Sequence, residues 1–242
     1  MEQYDYSKFL KGLEDFHITL TEKQLCQFTR FYELLNEWNK VMNLTAITEW
    51  EEVLCKHFLD SLSIIKVTDF EQVQTILDLG TGAGFPGIPL KILFPDKKFV
   101  LLDSLNKRIK FLDNVVKELG LSNIELIHGR AEDFAKKKEY REQFDLCVSR
   151  AVANLSTLSE YCIPYVKKNG YFISYKAVSA GEELVTAEKA IGVLGGELVS
   201  TEEFLLPDSD ITRAFIVIKK ERNTSPKYPR KAGLPAKEPL GK

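Results

Sequence analysis

A cluster of glycines directly follows an apolar run in the first half of the chain. The segment DLGTGAGFPGIPL, residues 78–90, places Gly80, Gly82 and Gly84 at the end of the run ILDL. Glycine permits tight turns and leaves backbone amides bare, so these three positions predict a loop that closely approaches a ligand. The two prolines that follow suit the first turn of a helix. The residues therefore predict a ligand-binding unit of strand, loop and helix.

Two kinds of cofactor are compatible with this loop. The glycines at 82, 84 and 87 match the G-x-G-x-x-G pattern of dinucleotide-binding proteins, which would indicate an NAD-dependent dehydrogenase. Asp78 at the end of the strand instead gives D-x-G-x-G-x-G, which is more typical of loops that bind S-adenosylmethionine (SAM). The predicted antiparallel end of the sheet and the lack of a separate substrate domain also favour SAM. We therefore expect SAM as the cofactor, with NAD as the alternative.

Residues at the ends of the next two apolar runs extend this site. Asp103 and Ser104 end the second run, where a carboxylate can accept hydrogen bonds from ribose hydroxyls. Either side chain could instead cap the helix that follows. Ala131 and Glu132 follow the third run, in the position from which such folds often hold an adenine ring. For Glu132, a role as an ordinary acid at a helix start is the alternative.

Short apolar runs alternate with helical stretches from residue 75 onward. Runs that are apolar on both faces are typical of a parallel sheet covered by helices, and they predict an α/β doubly wound fold. The predicted strands are 76–79, 99–103, 124–129, 144–149, 171–176, 197–206 and 213–220. The predicted helices between them are 86–94, 106–119, 133–141, 155–167 and 179–194. The segment PDSDIT is too short for a crossover helix, so the last two strands are predicted to form an antiparallel hairpin.

The first part of the chain is predicted to be all helical. Thr21 opens the capping box T-E-K-Q, and apolar residues then recur at helical spacing to about Asn39. A second helical stretch is predicted over about 49–66. The predicted domains are a helical extension over 1–70, a cofactor-binding domain over 71–220 and a basic C-terminal tail over 221–242.

Positive charge is concentrated at the C-terminal end of the chain. Residues 219–242 contain eight Lys or Arg and two Glu, so this segment carries +6 and leaves −8 for the rest of a chain with formal net charge −2. An acidic body with a basic arm suits binding along nucleic-acid phosphates. Tyr228, Arg230 and Lys231 are the strongest RNA-binding candidates, since they combine a stackable ring with two phosphate partners. A disordered solubilising tail is the alternative.

The composition excludes several other classes of protein. The four cysteines form no C-x-x-C pair and each lies inside an apolar segment, so we expect buried free thiols. Only three histidines are present, so we expect no metal site. No apolar run is long enough to cross a bilayer, and the start MEQYDYSKFLKG carries charges where a signal peptide needs an apolar stretch. We therefore expect a cytoplasmic protein that is a monomer and does not contact membranes.

Five separated segments together resemble one family. They are WNKVMNLTAI (38–47), KHFLDSL (56–62), DLGTGAGFPGIPL (78–90), SRAVANL (149–155) and YPRKAGLPAKEPL (228–240). In this order they are similar to the bacterial methyltransferases that modify guanine N7 in 16S ribosomal RNA, the RsmG or GidB (glucose-inhibited division protein B) type. The resemblance implies a Rossmann-like SAM-dependent methyltransferase fold with a mostly parallel seven-stranded sheet, and 16S ribosomal RNA or the small ribosomal subunit as partner. By position it also implies a cofactor site formed by Gly80, Phe85, Ala131, Glu132 and Arg150.

The implied reaction requires alignment of its reactants and no proton transfer. Guanine N7 carries an in-plane lone pair and no proton, so we expect no catalytic base and a rate that comes from orientation. A donor on N7 would occupy that lone pair, so Arg150 should contact the cofactor, O6 or a phosphate. His57 and Asp60, on one helix face, are expected to brace the fold, with RNA contact as the alternative. A non-catalytic ribosome-assembly factor is a further alternative, which would bind RNA without methylating it.

Overall fold

A seven-stranded sheet forms the centre of the protein. The computed structural model describes residues 4–150, 153–177 and 181–241. The strands are β1 (Thr75–Leu79), β2 (Lys98–Asp103), β3 (Ile124–His128), β4 (Phe144–Ser149), β5 (Val166–Lys176), β6 (Gly196–Leu205) and β7 (Thr212–Lys220). They lie in the order β3-β2-β1-β4-β5-β7-β6, and β7 runs antiparallel to both β5 and β6. The predicted fold class, including its antiparallel hairpin, is confirmed.

Helices cover both faces of this sheet, where two apolar cores lie. They are α1 (Ser7–Glu14), α2 (Glu22–Met42), α3 (Trp50–Val53), α4 (Asp60–Leu62), α5 (Gly87–Leu93), α6 (Asn106–Glu118), α7 (Ala131–Phe134), α8 (Leu155–Cys162), α9 (Gly181–Val193) and α10 (Leu234–Lys237). The predicted helix 133–141 is wrong in extent, because the lysines after Phe134 provide no apolar face and Tyr140 folds back onto the Phe134 ring. The first two residues of the predicted helix 179–194 lie outside the described residues.

The carboxyl ends of the parallel strands meet at one edge of the sheet. Asp103 at the end of β2 pairs in register with His128 of β3, and Leu79 of β1 pairs with Leu102. β1 lies between β2 and β4, so the strand order reverses at β1. In open α/β sheets, ligands bind in the crevice outside the strand ends at such a switch point. The architecture therefore directs the search for a site to the ends of β1, β2 and β4.

The N-terminal helices pack onto one face of the sheet through aromatic rings. The predicted capping box is present, since Thr21 and Gln24 exchange hydrogen bonds at the start of α2. Phe58 lies at the centre of the ring cluster, with centroid distances of 5.0 Å to Phe28 and 5.7 Å to Phe31.

Two rings of α2 also contact the sheet domain. Trp38 lies 5.7 Å from Phe111 of α6, and Phe31 lies 5.2 Å from Phe85 after β1. These contacts fix the helices against the sheet domain.

The second predicted N-terminal helix winds irregularly. A π-helical turn over Leu54–Leu59 joins α3 to α4, and a 3₁₀ turn over Ser63–Val67 continues it. π-Helical turns inside α-helices are frequent at functional sites, because they redirect the side chains that they carry. His57 lies within this turn.

The C-terminal segment is not a free basic arm. Tyr228 is only 9% exposed, and Arg230 is paired with Glu160, which is fully buried in α8. Arg141 donates hydrogen bonds of 2.7 Å and 2.9 Å to the carbonyl oxygens of Thr224 and Tyr228. The segment therefore packs against the sheet domain, since a buried carboxylate needs a partner and the segment supplies it.

No helix within residues 4–150, 153–177 and 181–241 is long and apolar enough to span a lipid bilayer. Among the residues that the structure describes, no group of three or more His, Cys, Asp or Glu is arranged to hold a metal ion. The four cysteines are free thiols, and Cys147 and Cys162 are fully buried as expected. Cys26 is exposed and Cys55 is half-buried, so the expectation that all four are buried is wrong.

Candidate functional site

The glycine loop after β1 has the backbone conformation that its sequence predicts. Gly80, Gly82 and Gly84 have φ angles of +73°, +61° and +95°, in the left-handed region that other residues rarely adopt. The amides of Gly80 and Thr81 both donate to the carbonyl oxygen of Leu102, at 2.8 Å and 3.2 Å, which ties the loop to the end of β2. The predicted tight turn therefore lies at the switch point of the sheet.

The side chain of Asp78 holds this loop through two hydrogen bonds. Its carboxylate is fully buried and accepts hydrogen bonds from the Thr81 hydroxyl at 2.6 Å and the Gly87 amide at 2.8 Å. A Cβ at Gly87 would lie 2.7 Å from the same carboxylate oxygen, so glycine is required there. Burial raises the pKa of Asp78 to about 6, although both hydrogen bonds oppose that shift. Asp78 therefore acts on the backbone of the loop, which explains its place in the D-x-G-x-G-x-G pattern.

Asp103 holds the other side of the loop. Its carboxylate accepts hydrogen bonds from the amides of Gly82 at 2.9 Å and Leu105 at 2.8 Å, and from the Arg108 guanidinium at 3.1 Å. Helix α6 begins after Leu105 without a side-chain cap, so the alternative that Asp103 or Ser104 caps this helix is wrong. The carboxylate is oriented by its neighbours at the end of β2.

A cavity of about 490 Å³ opens beside these residues and is here called the first cavity. Five predicted cofactor residues line it: Gly80, Asp103, Ser104, Ala131 and Glu132. The side chains of Leu102, Leu158 and Tyr161 supply apolar walls. The structure therefore brings together the predicted residues from the ends of three neighbouring strands.

Four other predicted cofactor residues do not line the first cavity. The Gly82 amide points to Asp103, and a Cβ at Gly84 would lie 2.7 Å from Ile88, so these glycines serve the turn and its packing. The Phe85 ring is buried and lies 5.2 Å from the ring of Phe31 in α2, because the loop directs it toward the N-terminal helices.

Arg150, the fourth, lines a second cavity of about 600 Å³. Of the SRAVANL motif, Ala151 and Val152 lie outside the described residues. Ala153 lines both cavities, so they adjoin at this residue. The cations Lys56, Lys176 and Arg213 also line the second cavity.

Asp60 holds two of these cations. Its carboxylate is 4% exposed and accepts from Arg150 Nη1 at 2.7 Å and from Arg213 Nε at 2.8 Å. One buried carboxylate shared by two guanidinium groups leaves a net positive charge at the wall of the cavity. Asp60 therefore connects the N-terminal helices to the ends of β4 and β7.

His57 completes this network in its neutral form. Its ring stacks on Phe85 at 4.4 Å, and its Nδ1 lies 3.3 Å from Arg150 Nη2. Because guanidinium only donates, Nδ1 accepts, and Nε2–H then donates to the Thr45 hydroxyl 2.9 Å away. Burial and the Arg150 cation lower the pKa of His57 to about 3. His57 and Asp60 brace the fold, as expected, and also line the second cavity.

The three predicted RNA-binding residues have different environments. The Tyr228 ring is buried, and the Arg230 guanidinium is engaged by Glu160, with Nη2 to Oε2 at 2.7 Å. Lys231 is exposed. Because the Tyr228 ring is buried, stacking of a base on it conflicts with its position in the structure. A count of basic residues could not reveal these buried environments.

Sequence reasoning missed several residues of the two cavities. Arg213 is the second residue of β7, and because β7 is antiparallel its first residues lie at the edge where β5 ends. The predicted antiparallel hairpin already implied that the first residues of β7 would lie at this edge. Lys56 and Lys176 also went unnoticed, as did Gly233, which lines the first cavity. Gly233 comes from the C-terminal segment, whose docking no local pattern indicates.

Comparison with known proteins places this site in a family. The model of the GidB family, rRNA small subunit methyltransferase G, matches residues 24–212. The chain belongs to the GidB family. Ribosomal RNA small subunit methyltransferase G of Lachnoclostridium phytofermentans is 55% identical over 236 residues, 98% of each chain. The protein of the same name from Clostridium tetani is 50% identical over 240 residues, 99% of this chain and 100% of that one. The predicted family, methyltransferase activity and SAM dependence are confirmed at this level.

Solved structures show the same fold at low sequence identity. NSun6 of Pyrococcus horikoshii has a TM-score of 0.53 at 11% identity, with 68% of this chain and 52% of that chain covered. The ribosomal protein L11 methylase of Lactobacillus delbrueckii subsp. bulgaricus has a TM-score of 0.51 at 17% identity, with 68% of this chain and 77% of that chain covered. These likenesses establish the methyltransferase sheet and nothing about the substrate.

Acid is expected to destabilise the fold through His57. The folded-state pKa of about 3 lies below the ordinary value of 6.5, so the unfolded state takes up the proton first as the pH falls. The stability contributed by neutral His57 is fully present above pH 6.5 and is lost toward pH 3. At pH 5 this loss is about 2 kcal/mol. In urea unfolding, the wild type should lose about 2 kcal/mol more than His57→Gln between pH 7 and pH 5.

His17→Asn is the matched control. His17 is exposed, and its φ of +56° is one that Asn tolerates. This variant should show the pH dependence of the wild type. If His57→Gln showed it too, the neutral buried state of His57 would be refuted.

Proposed function

We propose that the protein transfers a methyl group from SAM to N7 of a guanine in 16S ribosomal RNA, in the cytoplasm. The observation that supports this most directly is the pair of cavities that adjoin at Ala153. One has the features of a cofactor pocket, and the other is lined by cations. A reaction between two bound molecules requires two such spaces in contact.

The first cavity suits SAM in size and chemistry. A volume of about 490 Å³ lies in the range for a ligand of this size. The bare backbone at Gly80 would hold the amino-acid end, Asp103 the ribose hydroxyls, and Ala131 with Glu132 the adenine ring. SAM supplies a methyl group bonded to a sulfonium ion. NAD is set aside because of the family to which the chain belongs.

The second cavity suits a nucleotide of an RNA chain. Its lining includes Lys56, Arg150, Lys176 and Arg213, against the carboxylates of Asp60 and Glu183. An excess of cations attracts phosphates. With Tyr228 buried and Arg230 paired, this cavity replaces the C-terminal tail as the proposed RNA contact, and Lys231 alone of the three predicted tail residues remains a candidate.

Orientation is the main contribution of the chain's own residues. The pKa of His57, lowered to about 3, makes it a poor proton acceptor, which suits a reaction at a nitrogen without a proton, and both carboxylate oxygens of Asp60 accept from arginines. Arg150 directs Nη1 to Asp60 and to the Lys56 carbonyl oxygen, and Nη2 to His57. These bonds hold the guanidinium in place, and within the described part of the chain Nε–H has no hydrogen-bond partner, so it could donate to a phosphate or guanine O6.

Labelling of small ribosomal subunits tests the proposed reaction. Subunits that lack the modification are incubated with the protein and methyl-labelled SAM, and the RNA is digested to nucleosides. We expect label in 7-methylguanosine from a single position. Label in another nucleoside would refute the guanine N7 assignment. RNA binding without any label would favour the non-catalytic assembly factor.

Asp103→Asn should weaken cofactor binding. The amide keeps the shape of the side chain but removes the charge and one acceptor oxygen, so hydrogen bonds to ribose hydroxyls are lost. We expect the Kd for adenosylhomocysteine, measured by calorimetry, to rise about tenfold or more. Asp113→Asn removes an exposed acid of α6, the helix that follows β2, and should leave the Kd unchanged. Equal Kd values for both variants would argue against Asp103 as a ribose ligand.

Lys56→Gln should weaken RNA binding without affecting the cofactor. Removal of one phosphate contact lowers affinity for all RNA sequences and reduces the slope of log K against log salt by about 0.7 to 0.9. Lys117→Gln is the matched control, because Lys56 with Glu52 and Lys117 with Asp113 are both ion pairs four residues apart. Lys56 lines the second cavity, and Lys117 lines neither of the two cavities described above. Binding of labelled 16S RNA over a salt series measures both. An unchanged slope for Lys56→Gln would remove this residue from the RNA contact.

A further inference from the structure

The C-terminal segment forms part of the wall of the first cavity. Gly233 lines the cavity, and its amide donates a 2.8 Å hydrogen bond to Oε1 of Glu132. Glu132 follows β3, so this bond joins the far end of the chain to the strand edge at which the adenine ring is expected. The cavity therefore depends on where the C-terminal segment lies.

Arg230 holds this part of the segment in place. Its backbone amide and its Nε donate to Oε1 of Glu160 at 2.7 Å and 3.0 Å, and its Nη2 donates to Oε2 at 2.7 Å. Glu160 is fully buried, so its carboxylate requires these donors. A second Nη2 hydrogen bond, 2.7 Å long, reaches the carbonyl oxygen of Glu238 and closes the segment around the guanidinium.

A further contact lies on the other side of Gly233. The Thr157 hydroxyl of α8 donates to the carbonyl oxygen of Pro235 at 3.1 Å. Gly233 thus lies between two anchors on the same helix, Glu160 and Thr157, at a φ of +82°. A Cβ at this position would meet no atom within 4 Å, so the glycine is needed for its backbone conformation.

We propose that Arg230 is a positioning residue for the cofactor, which fixes Gly233 against Glu132 as the adenine-side wall of the first cavity. This inference rests on the proposed function, because it assigns the cavity to SAM. Arg230 lies in a motif whose basic residues suggest RNA binding, yet its guanidinium serves the cofactor pocket through Glu160. Docking of the segment and binding of the cofactor are therefore coupled, and each strengthens the other.

Binding of two ligands tests the position of this wall. Arg230→Lys keeps the charge but loses the forked contact with Glu160, and Gly233→Ala disturbs the backbone without a clash. Both should raise the Kd for adenosylhomocysteine by at least tenfold, measured by calorimetry. They should raise the Kd for methylthioadenosine, which lacks the amino-acid end, by the same factor. Lys231→Ala, at the exposed neighbouring position, should change neither Kd.

Trypsin cleavage gives a second readout that does not depend on activity. The peptide bond after Lys231 lies in the C-terminal segment. Bound adenosylhomocysteine favours the docked position of this segment, so it should slow cleavage there in the wild type. The expected slowing is about the factor by which docking of the segment improves the affinity for the ligand. In Gly233→Ala, cleavage should be faster and protection by the ligand weaker. Thermal unfolding of each variant establishes that the rest of the chain remains folded.

The outcomes separate the two proposals. If the wild type binds neither ligand, the proposed function and this inference both fail. If the wild type binds both ligands while Arg230→Lys and Gly233→Ala bind them equally well, only the inference fails. Loss of affinity for adenosylhomocysteine alone would also overturn it, because the segment would then act at the amino-acid end.

Discussion

Two buried carboxylates determine the course of the turn after β1, and both cavities depend on that turn. Asp78 accepts hydrogen bonds from Thr81 and Gly87, and Asp103 accepts one from Gly82. Each bond satisfies a donor that would otherwise be shielded from water without a partner. Burial of the Asp78 carboxylate costs free energy and raises its pKa to about 6. Its hydrogen bonds from Thr81 and Gly87 offset part of this cost and hold the tight turn at the centre of the sheet.

The same turn connects the cofactor side of the protein to the N-terminal helices. While Gly80 faces the first cavity, Phe85 leaves the loop in the opposite direction and stacks on His57. The Arg150 guanidinium lies 5.0 Å from the centroid of the Phe85 ring, and Asp60 holds it from the other side. The N-terminal extension is therefore a wall of the second cavity, because the side chains that orient Arg150 come from it. Movement of the glycine loop would shift both cavities together.

Elements with a clear apolar period could be predicted from the sequence, whereas side-chain directions in loops could not. The strand bounds agree with the prediction within one residue except at β5, which begins at Val166 rather than at Tyr171. The prediction missed this start because residues 167–169 are polar and interrupt the apolar run. The family pattern places Phe85 at the cofactor, but its direction is set by packing against distant helices. The charge of Arg230 suggested an RNA contact. Its actual partner, Glu160, lies 70 residues away in the chain, so only the folded structure shows the pair. The π-helical turn at Leu54–Leu59 changes the helical period that periodicity analysis assumes.

The charges around the second cavity agree with the demands of the proposed reaction. Methylation of N7 places positive charge on the purine, so unbalanced cations beside the base would raise the barrier. RNA binding nevertheless needs cations for the phosphates. Asp60 reconciles these demands, because its buried carboxylate offsets part of the charge of Arg150 and Arg213 at the wall, while Lys56, paired with Glu52, lies nearer to solvent with its side chain 35% exposed. In the proposed function, the Asp60 carboxylate between Arg150 and Arg213 would let the second cavity attract phosphate while limiting the positive potential at the base.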